Sequence, residues 1–345
     1  MNELNERLKK ITSKRNYELK PKISDANLLI EVTNKCNCNC IFCANSKMKR
    51  TKKEINEKFI MNILKESFEL GVKEVGFYTT GESLLNEKLV KYIECAKKIG
   101  YNYIYLTTNG ILLNDKKIKE LVAAGIDSIK LSINAINKED YEFIHGVDLF
   151  EQVLNNLKEL YNYKKNNNLL LKVFVSYIAT RYTDYNINDI KASFLPYCDE
   201  VAIINVRNQS GMMGEINNLL SCVKEENKID AQRLVPCHYV FNTINVTSEG
   251  YLTACCSDFE NYLAYANLNK TTLKEAWHND LITELRQKHL ENNLDKTLCN
   301  NCIYGVLDIP KPLDKNLIEI DNFNHVFNDD KVRNRLKMYK KNDIL

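Results

Sequence analysis

The feature that most constrains the fold is a regular alternation of short apolar runs with longer amphipathic periods. Runs rich in β-branched and aromatic residues predict strands at 28–33, 74–80, 103–108, 128–134, 170–178 and 201–206. Helical periodicity predicts helices at about 55–70, 86–99, 114–124, 138–166 and 188–197. Three of them end at the glycines Gly71, Gly100 and Gly125, the usual residue at a helix stop. The chain therefore predicts six β/α units.

Strands that alternate with helices pair in parallel, and six units fall short of the eight that close a full barrel. We therefore expect an α/β fold, a partial (β/α)6 TIM-like barrel, followed by a small hairpin-plus-helix domain. The predicted boundaries are a lead-in at 1–26, the barrel at 27–214, a linker at 215–236, the small domain at 237–305 and a tail at 306–345.

The charge balance gives no reason to expect nucleic acid as a partner. The 345 residues include 48 basic and 45 acidic ones, for a formal net charge of +3. The start of the chain is charged at nearly every turn and has no apolar run long enough for a signal peptide or a membrane span. We expect a cytoplasmic protein without a membrane partner. In that compartment 12 cysteines indicate a metal or redox cofactor rather than disulfides.

A cysteine-rich stretch follows the first predicted strand directly. Residues 36–43 read Cys-Asn-Cys-Asn-Cys-Ile-Phe-Cys. Within it Cys36, Cys40 and Cys43 form a CxxxCxxC triplet, and three thiolates can hold three irons of a cubane cluster while the fourth iron stays open to an external ligand. Cys38 lies inside the spacer and is interpreted as a bystander. A zinc site and a chance group of free thiols are the competing interpretations.

The triplet, with Phe42 before its last cysteine, resembles the signature of the radical S-adenosylmethionine (SAM) superfamily. In that superfamily the open iron chelates SAM and passes it one electron, and the resulting 5'-deoxyadenosyl radical takes a hydrogen atom from the substrate. The resemblance implies a SAM-binding 4Fe-4S cluster on the three cysteines, SAM as a cofactor with Phe42 beside it, and an electron donor such as flavodoxin or ferredoxin.

The ends of the next two strands carry further segments of the same resemblance. Residues 79–83, Thr-Thr-Gly-Glu-Ser, resemble the GGEP segment, in which backbone groups reach the amino group of SAM and a glycine permits a close approach. Gly81 and Glu82 are therefore candidate SAM contacts, and an ordinary βα turn is the alternative. Residues 107–110, Thr-Thr-Asn-Gly, resemble the TNG segment and make Asn109 a candidate as well.

Polar residues also stand near the ends of the fourth and fifth predicted strands. In the superfamily such side chains contact the ribose and carboxylate of SAM, which makes Ser132 and Ser176 candidates, although both could be hydroxyls satisfied by backbone. The segment 141–146 predicts a helix with its stop. His145 in that segment is interpreted as a surface or capping residue rather than a base.

A polar loop at 207–214 follows the sixth predicted strand and is expected at the open end of the barrel. Arg207 could pair there with a phosphate or carboxylate of the substrate. Capping of a surface helix is the alternative role for Arg207.

A second set of cysteines lies beyond the predicted linker. Cys237 is followed by hairpin-like runs at 241–246 and 251–256, a predicted helix at 273–291 with the only Trp, and the pair Cys299 and Cys302. Four thiolates can coordinate a second cubane completely, and a zinc ribbon has the same ligand count.

This region resembles the SPASM/Twitch extension of radical SAM enzymes. The spacing of Cys237, Gly250 and Cys255 fits the opening of the SPASM pattern, and residues 266–268 resemble its Gly-Asn-Leu segment. The chain has no cysteine after Cys302, so the resemblance implies the form with a single auxiliary 4Fe-4S cluster. Its implied ligands are Cys237, Cys255, Cys299 and Cys302. Because neighbours in a strand face opposite sides, only one of Cys255 and Cys256 can turn inward, and the Gly250 spacing favours Cys255.

The predicted reaction is the oxidation of a small polar alcohol of the sugar or aminocyclitol type. Relatives with one auxiliary cluster include aminocyclitol dehydrogenases, and a fully ligated cluster can accept the electron left on the substrate. Crosslinking, epimerisation or maturation of a peptide or protein substrate is the first alternative, although the lead-in is too short for a peptide-recognition domain. An epimerase would need a hydrogen donor such as Cys198 or Cys222. A non-catalytic iron-sulfur electron-transfer protein is the alternative of another class, and it leaves the open triplet unexplained.

Overall fold

A single sheet organises the computed structural model, which describes residues 17–183, 185–221, 235–317 and 330–339. Its strand order is β6-β5-β4-β3-β2-β1-β7-β8-β9. The first six strands are β1 (Asn27–Ile30), β2 (Glu74–Phe77), β3 (Tyr103–Thr108), β4 (Ser128–Ser132), β5 (Lys172–Ala179) and β6 (Glu200–Asn205). The last three are β7 (Thr243–Val246), β8 (Tyr251–Thr253) and β9 (Ala264–Asn267).

The strands β1 to β6 pair in sequence order and in parallel. Their carboxyl ends therefore meet along one edge, as the β/α alternation predicted. Side chains on one face, such as Leu28, Val75, Ile104 and Ile129, are fully buried against the helices in the main hydrophobic core. The expected partial barrel of α/β class is confirmed.

Helices follow each of the first strands and cover that apolar face. They are α1 (Glu57–Glu69), α2 (Leu89–Ile99), α3 (Asp115–Ala123), α4 (Lys138–His145), α5 (Phe150–Asn166) and α6 (Ile187–Phe194). Four of them begin after an asparagine whose side-chain oxygen accepts an N–H of the first turn, the usual N-cap arrangement. None of the helices in the described ranges is long and apolar enough to cross a bilayer.

Two helices differ from their predicted extents. The helix predicted at 138–166 is broken into α4 and α5, because Gly146 takes a left-handed conformation (φ 72°) that ends α4. The helix predicted at 273–291 is also two helices, α9 (Leu273–Ala276) and α10 (Asp280–Leu290). Here Asn279 begins the second one, since its Oδ1 accepts the N–H of Ile282 at 3.1 Å.

The second cysteine region continues the barrel sheet. Strand β7 pairs in parallel with β1, with Leu28 opposite Ile244 and Ile30 opposite Val246, and β8 and β9 then add antiparallel strands. The predicted hairpin is therefore present as β7 and β8, and it is joined edge to edge to the barrel. The proposed domain boundary at 236 and 237 stays a prediction.

The remaining helices are short. They are α7 (Ile216–Leu220), α8 (His238–Asn242), α11 (Leu298–Tyr304) and α12 (Asp330–Met338). Helix α7 occupies the start of the predicted linker, whose residues 222–234, with Cys222, lie outside the described residues. Helix α12 belongs to the stretch that was predicted as a tail.

Candidate functional site

The cysteine loop follows β1 and is attached to the end of α4. The N–H of Asn39 donates to the carbonyl oxygen of His145 at 2.9 Å, and the N–H of Ile41 donates to that of Ile144 at 2.8 Å. These bonds use two of the carbonyls that a helix leaves unpaired at its carboxyl end. The loop is therefore positioned by the barrel at the edge where the strands end.

The thiols of the loop interact with one another. A hydrogen bond from the Cys38 thiol lowers the pKa of Cys36 and holds the pKa of Cys40 well below its usual value. Burial raises the pKa of Cys43 to about 12, and a bound iron would displace its proton. Backbone N–H groups of Cys38 and Asn45 lie 3.5 Å from the Sγ atoms of Cys36 and Cys43. This set of thiol donors fits an iron-sulfur cluster.

Two residues that the sequence did not count among the cluster ligands lie beside Cys40. The Sγ atoms of Cys38 and Cys40 and one ring nitrogen of His145 lie within 4.8 Å of one another. His145 is only 1% exposed, its Nδ1 is 3.5 Å from Cys40 Sγ, and its ring stacks on Tyr141. The prediction of a surface position is wrong, because the cysteine loop packs on the end of α4 through the bonds to His145 and Ile144; the capping role stays a prediction.

Gly81 allows two backbone segments to meet. A Cβ atom at this position would lie 2.2 Å from the carbonyl oxygen of Thr33 and 2.6 Å from that of Lys35, distances that no side chain tolerates. The next N–H, of Glu82, donates to Lys35 O at 2.8 Å. The loop after β2 thus packs on the segment that enters the cysteine loop. Whether Gly81 also faces SAM stays a prediction.

The Glu82 carboxylate is buried and fully engaged by the protein. It accepts hydrogen bonds from the hydroxyl of Thr108 at 2.7 Å and the N–H groups of Leu84 and Asn109 at 3.0 and 2.7 Å. Burial raises its pKa, against the effect of these donors. The side chain therefore ties the loop after β2 to the end of β3, and contact of Glu82 with SAM stays a prediction.

The other candidate SAM residues divide into two groups. Asn109 joins the cysteine loop, since its Nδ2 lies 2.6 Å from Asn37 Oδ1 and 3.3 Å from Cys38 Sγ. Phe42, 6% exposed, packs into the main hydrophobic core. Ser132 and Ser176, on β4 and β5, form the second group.

Ser132 and Ser176 stand side by side on β4 and β5. They are opposite one another in the strand register, and their Oγ atoms are 3.3 Å apart. Ser132 is half-buried and Ser176 is buried. The structure brings the two predicted hydroxyls together, and their contact with SAM stays a prediction.

The other face of the sheet carries aromatic and polar side chains. The Tyr105 ring lies over Gly76, where a Cβ atom would be 2.5 Å from the ring, and its hydroxyl accepts a hydrogen bond from Asn27 at 2.5 Å. Tyr78 and Tyr103 have ring centroids 5.9 and 5.8 Å from that of Tyr105. Phe174 and Ala202 form a small apolar cluster that is separate from the main core.

All four predicted auxiliary ligands line one cavity. Its thiols are those of Cys237, Cys255, Cys299 and Cys302. Apolar side chains such as Val240, Leu263 and Leu298 complete the lining. Cys256, half-buried, does not line it. Four thiols in an apolar cavity fit a fully ligated iron-sulfur cluster.

Separate elements deliver these four thiols. Cys237 is the N-cap of α8, and Cys255 comes two residues after β8. Cys299 and Cys302 lie three positions apart on α11, so their side chains share one face of that helix. The assembly depends on tertiary packing, in contrast to the single loop that holds Cys36, Cys40 and Cys43.

The polar loop after β6 packs on this cavity. Asn208 Nδ2 lies 3.3 and 3.0 Å from the carbonyl oxygens of Asn301 and Cys302, and Ser210 lines the cavity. The sequence did not predict this contact. Arg207 itself is exposed, and its pairing with a substrate stays a prediction.

A buried ion-pair network connects the barrel to the hairpin. Arg50 pairs with Glu31, beside the end of β1, at 2.9 Å and with Glu249, in the β7–β8 turn, at 3.0 Å. Glu31 also accepts hydrogen bonds from the N–H and hydroxyl of Ser248. Burial acts to raise the pKa of Glu31, but the Arg50 charge and these donors hold it below its usual value. The network positions the two regions relative to each other.

Helix α12 lies against the cysteine loop, a contact that no sequence motif predicted. Lys331 Nζ donates to the carbonyl oxygens of Cys40 and Cys43 at 2.5 and 3.1 Å and to the hydroxyl of Ser46 at 2.6 Å. Arg335 donates to the carbonyls at the end of α4. The only signal in the sequence is the basic pattern of residues 331–337.

Family comparisons agree with the two cysteine sites. The model of the radical SAM superfamily matches residues 30–190, and that of the SPASM iron-sulfur cluster-binding domain matches residues 237–303. A probable GTP 3',8-cyclase of Methanothermobacter marburgensis is 36% identical over 126 residues. That match spans 36% of this chain and only 41% of the cyclase. An uncharacterized protein of Methanocaldococcus jannaschii is 30% identical over 248 residues, 68% of this chain and 77% of its own length.

Solved structures share the fold. BtrN in complex with AdoMet and 2-DOIA is 20% identical with a TM-score of 0.54, over 84% of this chain and 97% of BtrN. SuiB of Streptococcus suis bound to the precursor peptide SuiA is 13% identical with a TM-score of 0.57, over 81% of this chain and 71% of SuiB.

The two family matches confirm the resemblance drawn from the cysteine spacings. They imply a SAM-binding 4Fe-4S cluster in the barrel and an auxiliary iron-sulfur cluster in the second region. The chain belongs to the radical SAM superfamily and carries a C-terminal SPASM domain.

Proposed function

We propose that this radical SAM enzyme oxidises a small polar alcohol of the sugar or aminocyclitol type. The observation that carries the proposal is the convergence of four thiols, three of them buried, on one apolar cavity, those of Cys237, Cys255, Cys299 and Cys302. Complete thiolate ligation leaves no iron open to a ligand, which suits a cluster that accepts an electron. Oxidation of an alcohol requires such an acceptor.

The cysteine loop takes the catalytic role in this proposal. The cluster held by Cys36, Cys40 and Cys43 supplies, when bound, the electron that cleaves SAM to methionine and a 5'-deoxyadenosyl radical. The protein's own residues place SAM: Gly81 and Glu82 shape the loop above the strand ends, and the paired hydroxyls of Ser132 and Ser176 offer hydrogen bonds. An external donor such as flavodoxin or ferredoxin provides the electron.

The hydrogen atoms and electrons of this oxidation balance if the enzyme supplies one electron acceptor. The carbon-bound hydrogen atom passes to the 5'-deoxyadenosyl radical and forms 5'-deoxyadenosine. The substrate hydroxyl would release its proton to water as the C=O bond forms, and a cluster held by Cys237, Cys255, Cys299 and Cys302 would take up the remaining electron. Each turnover therefore consumes one SAM, because the abstracted hydrogen stays on 5'-deoxyadenosine.

The face of the sheet opposite the core supports a small polar substrate. On this face Tyr78 follows the carboxyl end of β2 and its ring lies 5.9 Å from that of Tyr105, whereas Asn27 and Tyr103 begin their strands at the opposite edge. Tyrosines combine a flat apolar ring with a polar tip, a combination that suits a hydroxylated ring molecule.

Modification of a peptide is the second candidate. SuiB carries a bound precursor peptide and BtrN a bound 2-DOIA, so similar folds serve both substrate classes. The relation to probable GTP 3',8-cyclases adds a further reaction type, and that match covers only 36% of this chain. A pure electron-transfer role is disfavoured by the cysteine triplet, and cleavage of SAM by the reconstituted protein would exclude it.

The deciding experiment follows hydrogen from substrate to product. With alcohols deuterated at the reacting carbon, label should appear in 5'-deoxyadenosine, SAM should be consumed once per product, and the product should lack two hydrogens. Cys299→Ala should still cleave SAM but lose product, and Cys256→Ala serves as the control.

A product of unchanged mass that carries solvent deuterium would instead identify an epimerase. Cys198 is poorly placed to donate hydrogen in that reaction, because it is buried just before the amino end of β6, the edge of the sheet opposite the cysteine loop. Cys222 would then be the next residue to replace.

A further inference from the structure

The loop after β6 has an unusual backbone. Three consecutive residues have positive φ: Gln209 at 50°, Ser210 at 58° and Gly211 at 83°. Glycine adopts this conformation readily, but the other two residues do so at a cost in free energy. Such strain persists only where surrounding contacts impose it, and it often accompanies function.

Contacts with α11 hold the loop in this conformation. Asn208 bonds to the carbonyl oxygens of Asn301 and Cys302, and its own Oδ1 accepts the N–H of Gly211 at 3.2 Å. A Cβ atom on Gly211 would lie 2.5 Å from Asn301 Cβ and 2.9 Å from the nitrogen of Cys302. The loop is thus pressed against the helix that carries two of the auxiliary cysteines.

The strained backbone places one hydroxyl against an auxiliary cysteine. Ser210 Oγ is 3.1 Å from Cys255 Sγ, and the residue is only 3% exposed. The N–H of Ser257 approaches the same sulfur at 3.4 Å. Cys255 Sγ therefore has two donors within reach, one from a side chain of the barrel loop and one from the backbone of its own segment.

We propose that Ser210 is a positioning residue that raises the reduction potential of the auxiliary cluster through its hydrogen bond to the Cys255 sulfur. A donor to a ligand sulfur stabilises the additional negative charge of the reduced cluster, so reduction becomes easier. The inference rests on the proposed function, in which Cys255 is a cluster ligand. It gives the β6 loop a role in electron uptake from the substrate.

The test uses the auxiliary cluster alone, in full-length protein with Cys36, Cys40 and Cys43 replaced by Ala. In this background Ser210→Ala and Ser210→Gly both remove the hydroxyl, but only Gly also relieves the backbone strain. Both should shift the midpoint in an EPR-monitored redox titration to more negative values by similar amounts. At the parent midpoint the ratio of reduced to oxidised cluster should fall about tenfold, as expected for a lost hydrogen bond to a charged group.

Ser257→Ala is the matched control, because Ser257 approaches Cys255 through its backbone N–H and should leave the midpoint unchanged. An unchanged midpoint in both loaded Ser210 variants would overturn the inference. A shift in only one of the two variants would also overturn it, because the effect would then come from the backbone. The same holds if neither variant binds iron, because Ser210 would then be required for cluster loading. If the background protein itself binds no iron, the auxiliary ligand assignment fails first and the inference falls with it.

Discussion

The two cysteine sites are built by opposite strategies. Cys36, Cys40 and Cys43 lie on one loop of eight residues, and all three thiols are half-buried. The auxiliary thiols come from elements between residues 237 and 302, and three of the four are buried. A site that must admit SAM needs access, whereas a cluster that only exchanges electrons gains from a closed apolar cavity. The difference in assembly therefore follows the difference in proposed role.

The largest expected change in stability comes from breaking the Arg50 ion-pair network that joins the barrel to the β7–β8 hairpin. Arg50→Met leaves the buried carboxylates of Glu31 and Glu249 without their partner, and removal of one member of a buried pair costs about 3–5 kcal/mol. Urea unfolding of the apoprotein should show a loss of this size. Lys35→Met is the control, since its pair with Glu54 is exposed and such pairs contribute about 1 kcal/mol or less. Equal losses in the two variants would mean that the network does not join the regions.

A second prediction concerns the choice between neighbouring cysteines. Cys255→Ala should remove the auxiliary cluster, about four irons per chain, because Cys255 lines the cavity. Cys256→Ala should keep the full iron content, since Cys256 lies outside the lining. Iron and sulfide analysis after anaerobic reconstitution measures both. The reverse pattern would show that the segment after β8 is shifted by one residue.

A third prediction concerns the support that α12 gives to the cysteine loop. Lys331→Met removes the hydrogen bonds to the carbonyls of Cys40 and Cys43, so the loop should hold its cluster less firmly. We expect SAM cleavage to fall roughly tenfold while the auxiliary iron is retained. Lys337→Met makes the same substitution at an exposed position of α12 and should have little effect. Equal rates in the two variants would show that α12 does not support the loop.

The smallest effect is expected at the strand ends. Ser132→Ala and Ser176→Ala should each weaken SAM binding by about tenfold or less, the size of one neutral hydrogen bond. Equilibrium dialysis of the reconstituted enzyme with SAM measures the change. Ser128→Ala, on β4 but at its opposite end, is the control. Unchanged binding in both variants would remove the two serines from the SAM site.

Local features of the fold and site could be predicted from the sequence. The β/α alternation predicted all six barrel strands within a few residues of their positions, and the cysteine spacing predicted the family. Both signals are carried by neighbouring residues: side-chain periodicity reports which face is buried, and a CxxxCxxC loop contains its ligands within eight positions.

Contacts between distant parts of the chain could not be predicted. Lys331 meets Cys40 across 291 positions, and Ser210 meets Cys255 from a loop that was assigned to the barrel mouth. The burial of His145 also depends on bonds from the cysteine loop to α4. None of these contacts has a local pattern, because each depends on how separate elements pack. The pairing of β7 with β1 could not be predicted either, because the sequence of an edge strand in a parallel sheet does not specify which strand will pair with it.

The most direct test of the two-site account counts iron in one variant. Reconstituted wild-type protein should bind about eight irons per chain. The variant with Cys36, Cys40 and Cys43 replaced by Ala should bind about four, retain the EPR signal of the auxiliary cluster and fail to cleave SAM. A folded variant that keeps all of its iron, or that loses all of it, would contradict the account of two separate cluster sites.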